Sequence, residues 1–179
     1  MLGTALDASG RLLERLLDQP GAAEELAAEL YELVLAEVRS GATPLPGAAE
    51  LVADLRGARP VGVASNSPRQ LVEAALTAAG LADKFDAVLT GDDVERPKPA
   101  PDIYLLACEL LGARPSDSIA LEDSPTGVAA GRAAGLFVIG VPSLPDLELD
   151  ADLTAASLED PEVRRAVSRL GGIRTERLR

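Results

Sequence analysis

The spacing of apolar and polar residues changes near residue 60 of the chain. Before that point, apolar residues recur every three or four positions, which is the spacing of amphipathic helices. From residue 60 to residue 141, short apolar runs alternate with helical stretches, as is typical of a parallel sheet whose strands are connected by helices. The pattern therefore predicts an α/β fold preceded by helices.

Amphipathic helices and rigid turns account for the chain up to residue 57. Leucines repeat with helical spacing over 5–18 and again over 22–39, and the pair Pro20-Gly21 separates the two stretches. The proline-rich segment 43–47 then predicts a stiff turn, and a further helix is expected over 48–57. Two helices alone bury little surface, so we expect the first pair to pack against another part of the protein.

The remaining pattern predicts four short strands and the helices that connect them. Prolines and glycines mark several of the helix ends, as at Pro125 and Gly135. After residue 141 the pattern weakens to a short strand or turn over 152–158, a helix over 160–170 and a frayed tail. The predicted strands are 60–64, 87–89, 119–121 and 136–141, and the predicted helices between them are 69–79, 101–111 and 125–134.

The composition excludes several classes of partner and chemistry. Seventeen basic and 29 acidic residues give a formal net charge of −12, which disfavours nucleic acids and anionic membrane surfaces as partners. The chain has no histidine, which excludes catalysis by histidine and zinc sites built on it. Its single cysteine, Cys108, rules out an internal disulfide and indicates a reducing compartment, so we expect a cytoplasmic protein.

Polar side chains follow three of the predicted strands, at the point where each strand ends. Ser65 and Asn66 follow the first strand, Lys98 lies in the loop after the second, and Glu122 with Asp123 follows the third. Because the carboxyl ends of parallel strands meet at one edge of a sheet, we expect these side chains to converge. Hydroxyl, amide and ammonium groups suit phosphate, and paired carboxylates without histidine suit Mg²⁺. The sequence thus predicts a site for a Mg²⁺-bound phosphate ester.

Three motifs in this order resemble those of the haloacid dehalogenase superfamily, in the branch of β-phosphoglucomutase and phosphoglycolate phosphatase. VGVASNS is similar to the family's second motif, GDDVERPKPAPDIY to its third, and LEDSPTGVAAGRAAGL to its fourth. The resemblance implies a Rossmann-like parallel sheet with part of an α-helical cap. On that basis we divide the chain into a partial cap, an α/β core, and a C-terminal helix with its tail, which cover 1–42, 43–160 and 161–179.

The resemblance also implies roles for the converging residues. Ser65 takes the position of the family's phosphate-binding hydroxyl, with Asn66 beside it, and Lys98 that of the lysine which binds phosphate and stabilises charge during catalysis. Glu122 and Asp123 fall at the carboxylates of the Mg²⁺ site. The implied activity is a phosphatase or phosphomutase acting on a small phosphorylated metabolite.

The chain departs from the family at its first motif. The family begins with a central strand carrying D-x-D-x-T, which supplies the nucleophilic aspartate and the acid/base aspartate, and no D-x-D precedes Ser65 in this sequence. We therefore interpret the chain as lacking the beginning of the fold, including the first central strand. The resemblance then implies that the intact enzyme uses Mg²⁺, and that this chain alone is nearly inactive.

Simpler interpretations of the single residues remain open. Glu122 and Asp123 could form a polar turn that caps a helix, Lys98 could be a solvated loop charge, and Ser65 could be a helix cap. The leading alternative function is a non-catalytic α/β module that binds a phosphorylated ligand or a partner.

The missing strand leads to a prediction about stability. Without it, the strands ending at Ala64 and Leu121 each lose a neighbour, and each unsatisfied backbone group costs roughly 1–3 kcal/mol. We expect the isolated chain to be unstable, to associate, or to pair these two strands directly. Sedimentation and thermal unfolding of the purified chain test this, and a monomer that unfolds cooperatively at a high temperature would contradict it.

Overall fold

The protein folds into seven helices and five strands over the residues that the computed structural model describes, which are 4–144 and 146–170. Short 3-10 turns at Gly91–Asp93 and Pro115–Asp117 join some of these elements. The helices are α1 (Thr4–Leu16), α2 (Ala23–Ser40), α3 (Ala48–Leu55), α4 (Arg69–Ala78), α5 (Asp102–Leu110), α6 (Pro125–Ala133) and α7 (Pro161–Leu170). The strands are β1 (Gly62–Ala64), β2 (Ala87–Leu89), β3 (Ile119–Glu122), β4 (Phe137–Gly140) and β5 (Leu153–Thr154).

The predicted order of elements is confirmed, although the observed ends of several elements differ from the predicted ends by a few residues. Helix α1 ends at Leu16 rather than at residue 18, and Asp18 has a positive φ of 53°, a conformation that cannot continue a helix. The uncertain segment 152–158 contains a short strand, β5. The predicted frayed tail over 171–179 lies outside the described residues.

The strands form two separate parallel sheets. In the first sheet β1 pairs with β2, so that Val63 lies opposite Val88. In the second, β4 lies between β3 and β5, with Ala120 opposite Val138. The α/β class and the parallel pairing are therefore confirmed. Strands β1 and β3 are not paired with each other in the described fold. Direct pairing of these two strands, one of the expected outcomes, therefore does not occur there.

Helices cover both faces of the second sheet. Val138 and Ile139 are neighbours in β4, are both fully buried, and belong to different hydrophobic clusters. Val138 packs with residues of α5 and α6, whereas Ile139 packs with residues of α3 and α7. Because successive side chains of a strand point to opposite faces, this assigns one pair of helices to each face.

Small residues let α6 lie directly on the sheet. A Cβ atom at Gly131 would come within 2.8 Å of Val138 Cγ2 and 3.4 Å of Ala120 Cβ. A chain with only 2% aromatic residues therefore fills its core by bringing backbones close together rather than by using large side chains.

The N-terminal helical hairpin contacts the α/β part through α2. Ala27 and Leu35 of α2 are buried, and the Tyr31 hydroxyl donates a hydrogen bond to Gln70 Oε1 of α4 at 2.9 Å. Within the described residues, no helix combines the length and the apolar character needed to cross a membrane.

The turn after β2 ties that strand to α4 through two aspartates. Asp93 Oδ2 accepts hydrogen bonds from the backbone N–H and the hydroxyl of Thr90, at 2.7 and 2.8 Å, and Asp93 also pairs with the Arg69 guanidinium. Asp92 accepts a hydrogen bond from the Arg69 backbone N–H at 2.8 Å. Burial raises the pKa of Asp93, but the hydrogen bonds from Thr90 and Arg69 outweigh it, so the net pKa lies below the ordinary value of 3.8.

We predict that Asp93→Asn flattens the dependence of stability on pH in the acid range. A carboxyl with a lowered pKa stabilises the fold fully above its unfolded pKa, and this contribution is lost as the pH falls through the folded pKa. Urea unfolding at pH 6 and pH 3 should therefore show a smaller loss of stability in the variant than in the natural chain. Asp150→Asn is the control, because that side chain is 97% exposed. Equal losses in the natural chain and in Asp93→Asn would contradict the assignment.

Candidate active site

A buried lysine joins the ends of two strands from the separate sheets. Lys98 Nζ donates hydrogen bonds to the Ala64 carbonyl oxygen, at 2.9 Å, and to Glu122 Oε1, at 2.5 Å. Ala64 is the last residue of β1 and Glu122 the last of β3. Since Ser65 follows Ala64 and Asp123 follows Glu122, the structure brings the three predicted clusters together at one place.

Tyr104 belongs to the same cluster, although the sequence analysis gave it no role. Its hydroxyl donates a hydrogen bond to Glu122 Oε1 and lies 3.2 Å from Lys98 Nζ, which is 4.7 Å from the ring centroid. Burial raises the pKa of the Tyr104 hydroxyl, and the Glu122 charge and hydrogen bond raise it further, so the group stays a donor. One signal could have identified it: Tyr104 lies six residues after Lys98, near the start of a predicted helix, in a chain with just two tyrosines.

Asn66 holds the backbone of the lysine loop. Its amide nitrogen donates to the Lys98 carbonyl oxygen at 3.1 Å, and its amide oxygen accepts from the Lys98 N–H at 2.9 Å. These two bonds use the nitrogen and the oxygen of the side-chain amide. They fix the Lys98 backbone, from which the lysine side chain extends. The role of Asn66 in binding phosphate stays a prediction, and reaching a phosphate would require it to give up part of this pairing.

Ser65 is positioned by the end of the first sheet. Its backbone N–H donates to the Leu89 carbonyl at 3.0 Å, which continues the pairing of β1 with β2 by one residue. Its hydroxyl oxygen accepts a hydrogen bond from the Ser67 N–H at 3.1 Å. A hydroxyl that accepts in this way keeps its own proton, so it can still donate to a phosphate oxygen.

The Glu122 carboxylate is enclosed by its neighbours. It is 5% exposed and is held by Lys98 and Tyr104, while the Ser124 hydroxyl lies 3.4 Å from Oε2. A Cβ atom at Gly127 would lie 1.7 Å from Glu122 Oε2, so the absence of a side chain there makes the space that the carboxylate occupies. Ser124 also caps α6 by accepting a hydrogen bond from the Gly127 N–H at 3.2 Å.

Asp123 is the carboxylate of the pair that remains accessible. It is exposed, and its side chain makes no ion pair or hydrogen bond within the described part of the chain. No group of three or more histidine, cysteine, aspartate or glutamate side chains among the described residues could enclose a metal ion. Mg²⁺ commonly binds through one or two carboxylates together with water and substrate phosphate. The chemistry of the donor set fits a Mg²⁺ ion shared with a phosphate, and the metal-binding roles of Asp123 and Glu122 both stay predictions.

We predict that Lys98→Met destabilises the protein by about 3–5 kcal/mol, because it leaves a buried carboxylate without its cation. Both members of the pair are buried, with 9% and 5% of their side chains exposed. Chemical denaturation of the natural chain and of the variant measures the loss.

Glu122→Gln and the double variant serve as controls for this pair. If the two charges interact as the distance indicates, the double variant should be less destabilised than the sum of the single changes, by about 0.5–3 kcal/mol. Additive losses would show that the two side chains do not stabilise each other.

Known proteins share both the sequence and the fold. Residues 4–135 match the haloacid dehalogenase-like hydrolase family. The chain is 37% identical over 142 residues to the validoxylamine A 7′-phosphate phosphatase of Streptomyces hygroscopicus subsp. limoneus. The aligned region covers 79% of this chain and 67% of that protein. It is 37% identical over 116 residues to the fructose-1-phosphate phosphatase of Escherichia coli (strain K12), covering 65% of this chain and 61% of that protein.

A solved structure supports the assignment of the fold. The β-phosphoglucomutase of Clostridium difficile superposes on the chain with a TM-score of 0.74 at 22% identity, covering 92% of this chain and 76% of that one. The residues that match the family, 4–135, contain the ordered motifs that meet at Lys98. The chain belongs to the haloacid dehalogenase-like hydrolase family.

Proposed function

We propose that this chain carries the phosphate-binding and Mg²⁺-binding parts of a phosphoryl-transfer enzyme, a phosphatase or phosphomutase that acts on a small phosphorylated metabolite. The observation that carries the proposal is the position of the Lys98 ammonium, which contacts the last residues of β1 and β3, directly before Ser65 and Asp123. A cation, a hydroxyl donor and a free carboxylate at one place match the oxygens and the charge of a phosphate monoester.

The fixed lysine would stabilise the negative charge of the phosphoryl group. Its ammonium is held in place by Ala64, Glu122 and Tyr104, and one of these three hydrogen bonds would give way when it donates to a phosphate oxygen. The Ser65 hydroxyl would donate to a phosphoryl oxygen, and Asp123 would hold Mg²⁺. When bound, Mg²⁺ would neutralise phosphate charge as a Lewis acid. Asn66 would keep the lysine in position through the loop backbone.

In this proposal the chain alone turns over slowly. The resemblance assigns nucleophilic attack and proton transfer to two aspartates of a D-x-D-x-T motif at the start of the fold, and no D-x-D precedes Ser65 in this sequence. The later segment Asp150 to Thr154 fits the pattern but lies far downstream, without an apolar strand before it. Asp123 and Glu122 are the carboxylates at the cluster, and the first would be engaged with Mg²⁺ while the second is held by Lys98. Charge stabilisation without a nucleophile gives binding but little chemistry.

The names of the relatives support the class of substrate. The two matched proteins are phosphatases of validoxylamine A 7′-phosphate and of fructose 1-phosphate, both small phosphorylated compounds. We further propose that α1 and α2 form part of a cap over the site. They meet the α/β part where α2 packs against α4, and the Tyr31 hydroxyl donates a hydrogen bond to Gln70 there.

A binding module without catalysis is the second candidate. The specific observation in its favour is that Asn66 and Glu122, two of the predicted site residues, are engaged in holding Lys98. Such a chain would retain phosphate in the presence of Mg²⁺ without any turnover.

Calorimetric titration and a phosphatase assay test the proposal. We expect Mg²⁺ to bind in the presence of inorganic phosphate, and Asp123→Asn to weaken that binding at least about tenfold, because it replaces the metal-binding carboxylate. Asp150→Asn is the matched control and should bind as the natural chain does. The absence of Mg²⁺ binding, or an unchanged affinity in Asp123→Asn, would contradict the assignment of the site.

The rate of p-nitrophenyl phosphate hydrolysis tests the second part. We expect the purified chain to show no release of phosphate above background. Magnesium-dependent release that Asp123→Asn abolishes would overturn the proposal that the chain alone is inactive.

A further inference from the structure

We propose that the Tyr104 hydroxyl is an exchangeable partner of Lys98, which accepts one ammonium hydrogen and yields it to a phosphate oxygen when phosphate binds. Tyr104 is then a positioning residue that acts through the lysine. The inference rests on the proposed function, because it takes phosphate as the ligand of Lys98. It deepens that function by assigning which contact of the lysine is given up.

All three ammonium hydrogens of Lys98 are engaged in the structure. The acceptors are the Ala64 carbonyl oxygen at 2.9 Å, Glu122 Oε1 at 2.5 Å and the Tyr104 hydroxyl oxygen at 3.2 Å. An ammonium group has three donors and no acceptor, so a further hydrogen bond, to phosphate, requires one of these three to break. The affinity for phosphate therefore depends on which bond breaks and on how strong that bond is.

The bonds to Glu122 and Ala64 resist this exchange. The Glu122 side chain is 5% exposed, so the loss of its bond to the lysine would leave a buried charge poorly compensated. The Ala64 carbonyl points away from β2, because the Val61 carbonyl and the Ser65 N–H bond to the β2 side. Strand pairing with β2 therefore does not satisfy the Ala64 carbonyl, and breaking its bond to the lysine would remove a needed donor.

The bond to Tyr104 differs in length and in what its loss leaves behind. At 3.2 Å it is the longest of the three, at the upper end of the usual range for N–H···O bonds. The Tyr104 hydroxyl also donates its own proton to Glu122 Oε1, so it keeps a partner when the ammonium hydrogen leaves. Burial raises the pKa of this hydroxyl, which therefore stays protonated and keeps donating. The longest contact of the lysine is thus the one whose loss leaves no group unpaired.

The aromatic ring of Tyr104 holds the ammonium while the hydroxyl is exchanged. Lys98 Nζ lies 4.7 Å from the ring centroid, within the range of a cation–π interaction. A lysine that releases the hydroxyl still has the ring beside it, together with its bonds to Ala64 and Glu122. The ring and the hydroxyl of one side chain therefore have separate roles, since the first keeps the position of the ammonium and the second yields a hydrogen.

The variant Tyr104→Phe tests the exchange, because it removes the hydroxyl and retains the ring. If phosphate breaks the bond between Lys98 and the hydroxyl, the variant has no such bond to break. We therefore expect inorganic phosphate, in the presence of Mg²⁺, to bind the variant about two- to tenfold more tightly than the natural chain. Calorimetric titration measures both affinities. A hydroxyl that merely supports the structure gives equal or weaker binding in folded Tyr104→Phe, and that result would overturn the exchange.

Tyr31→Phe is the matched control. It is the same chemical change at the other of the chain's two tyrosines, whose hydroxyl bonds to Gln70 of α4. We expect phosphate to bind this variant as it binds the natural chain. An equal gain of affinity in both variants would show that the effect does not arise at Lys98, and would overturn the proposal.

The ultraviolet absorption of tyrosine provides a second measurement. The chain has no tryptophan, so each of the two variants contains a single tyrosine and no tryptophan. In Tyr31→Phe, which retains Tyr104, phosphate should move the tyrosine absorption to longer wavelength, since the hydroxyl oxygen loses a bond from a cation. In Tyr104→Phe, which retains Tyr31, the absorption should stay constant. If Tyr104→Phe does not fold, the spectrum of Tyr31→Phe decides, and an unchanged absorption at saturating phosphate would overturn the exchange.

These titrations also separate the exchange from the proposed function. If phosphate does not bind to the natural chain in the presence of Mg²⁺, both are contradicted. If phosphate binds to the natural chain, but Tyr104→Phe binds it no more tightly and the absorption of Tyr104 does not change, the exchange alone is overturned.

Discussion

The buried ion pair of Lys98 and Glu122 is the interaction on which the site depends. It connects the end of one sheet to the end of the other, across a place where the two sheets share no backbone hydrogen bonds. A buried pair of charges is stable only when its remaining donors and acceptors are satisfied. Ala64 and Tyr104 supply those contacts, so the ends of β1, β3 and α5 are held together by one set of polar groups.

The Lys98–Glu122 ion pair gives the two neighbouring carboxylates, Glu122 and Asp123, different surroundings. Glu122 is enclosed and committed to the lysine, whereas Asp123, one residue further, is exposed and has no competing partner among the described residues. The difference follows from the end of β3, since consecutive residues of a strand point to opposite sides. Two adjacent acids thereby differ in their surroundings: one holds Lys98, and the other is free for the metal-binding role that we propose.

The sequence predicted the elements well and the contacts between them less well. Alternating apolar runs and helix-breaking residues located the strands and helices, and the polar residues at strand ends pointed to the cluster around Lys98. The pattern did not show that Tyr104 joins the cluster or that Asn66 binds the backbone of the lysine loop. Those contacts depend on how α5 and a loop cross the strand ends in three dimensions, which local periodicity does not encode. Direct pairing of β1 with β3 was one of several expected outcomes, and the structure keeps the two strands in separate sheets, because pairing depends on the whole sheet.

The space left by Gly127 couples the residues that positions 127 and 122 can hold. Any larger residue there would place its first carbon on the Glu122 carboxylate, so the glycine cannot change while the glutamate keeps its length and position. A shorter acid at residue 122 would free that space but would draw its charge away from Lys98. A side chain at residue 127 therefore requires a shorter side chain at residue 122, and that change would weaken the contact with Lys98.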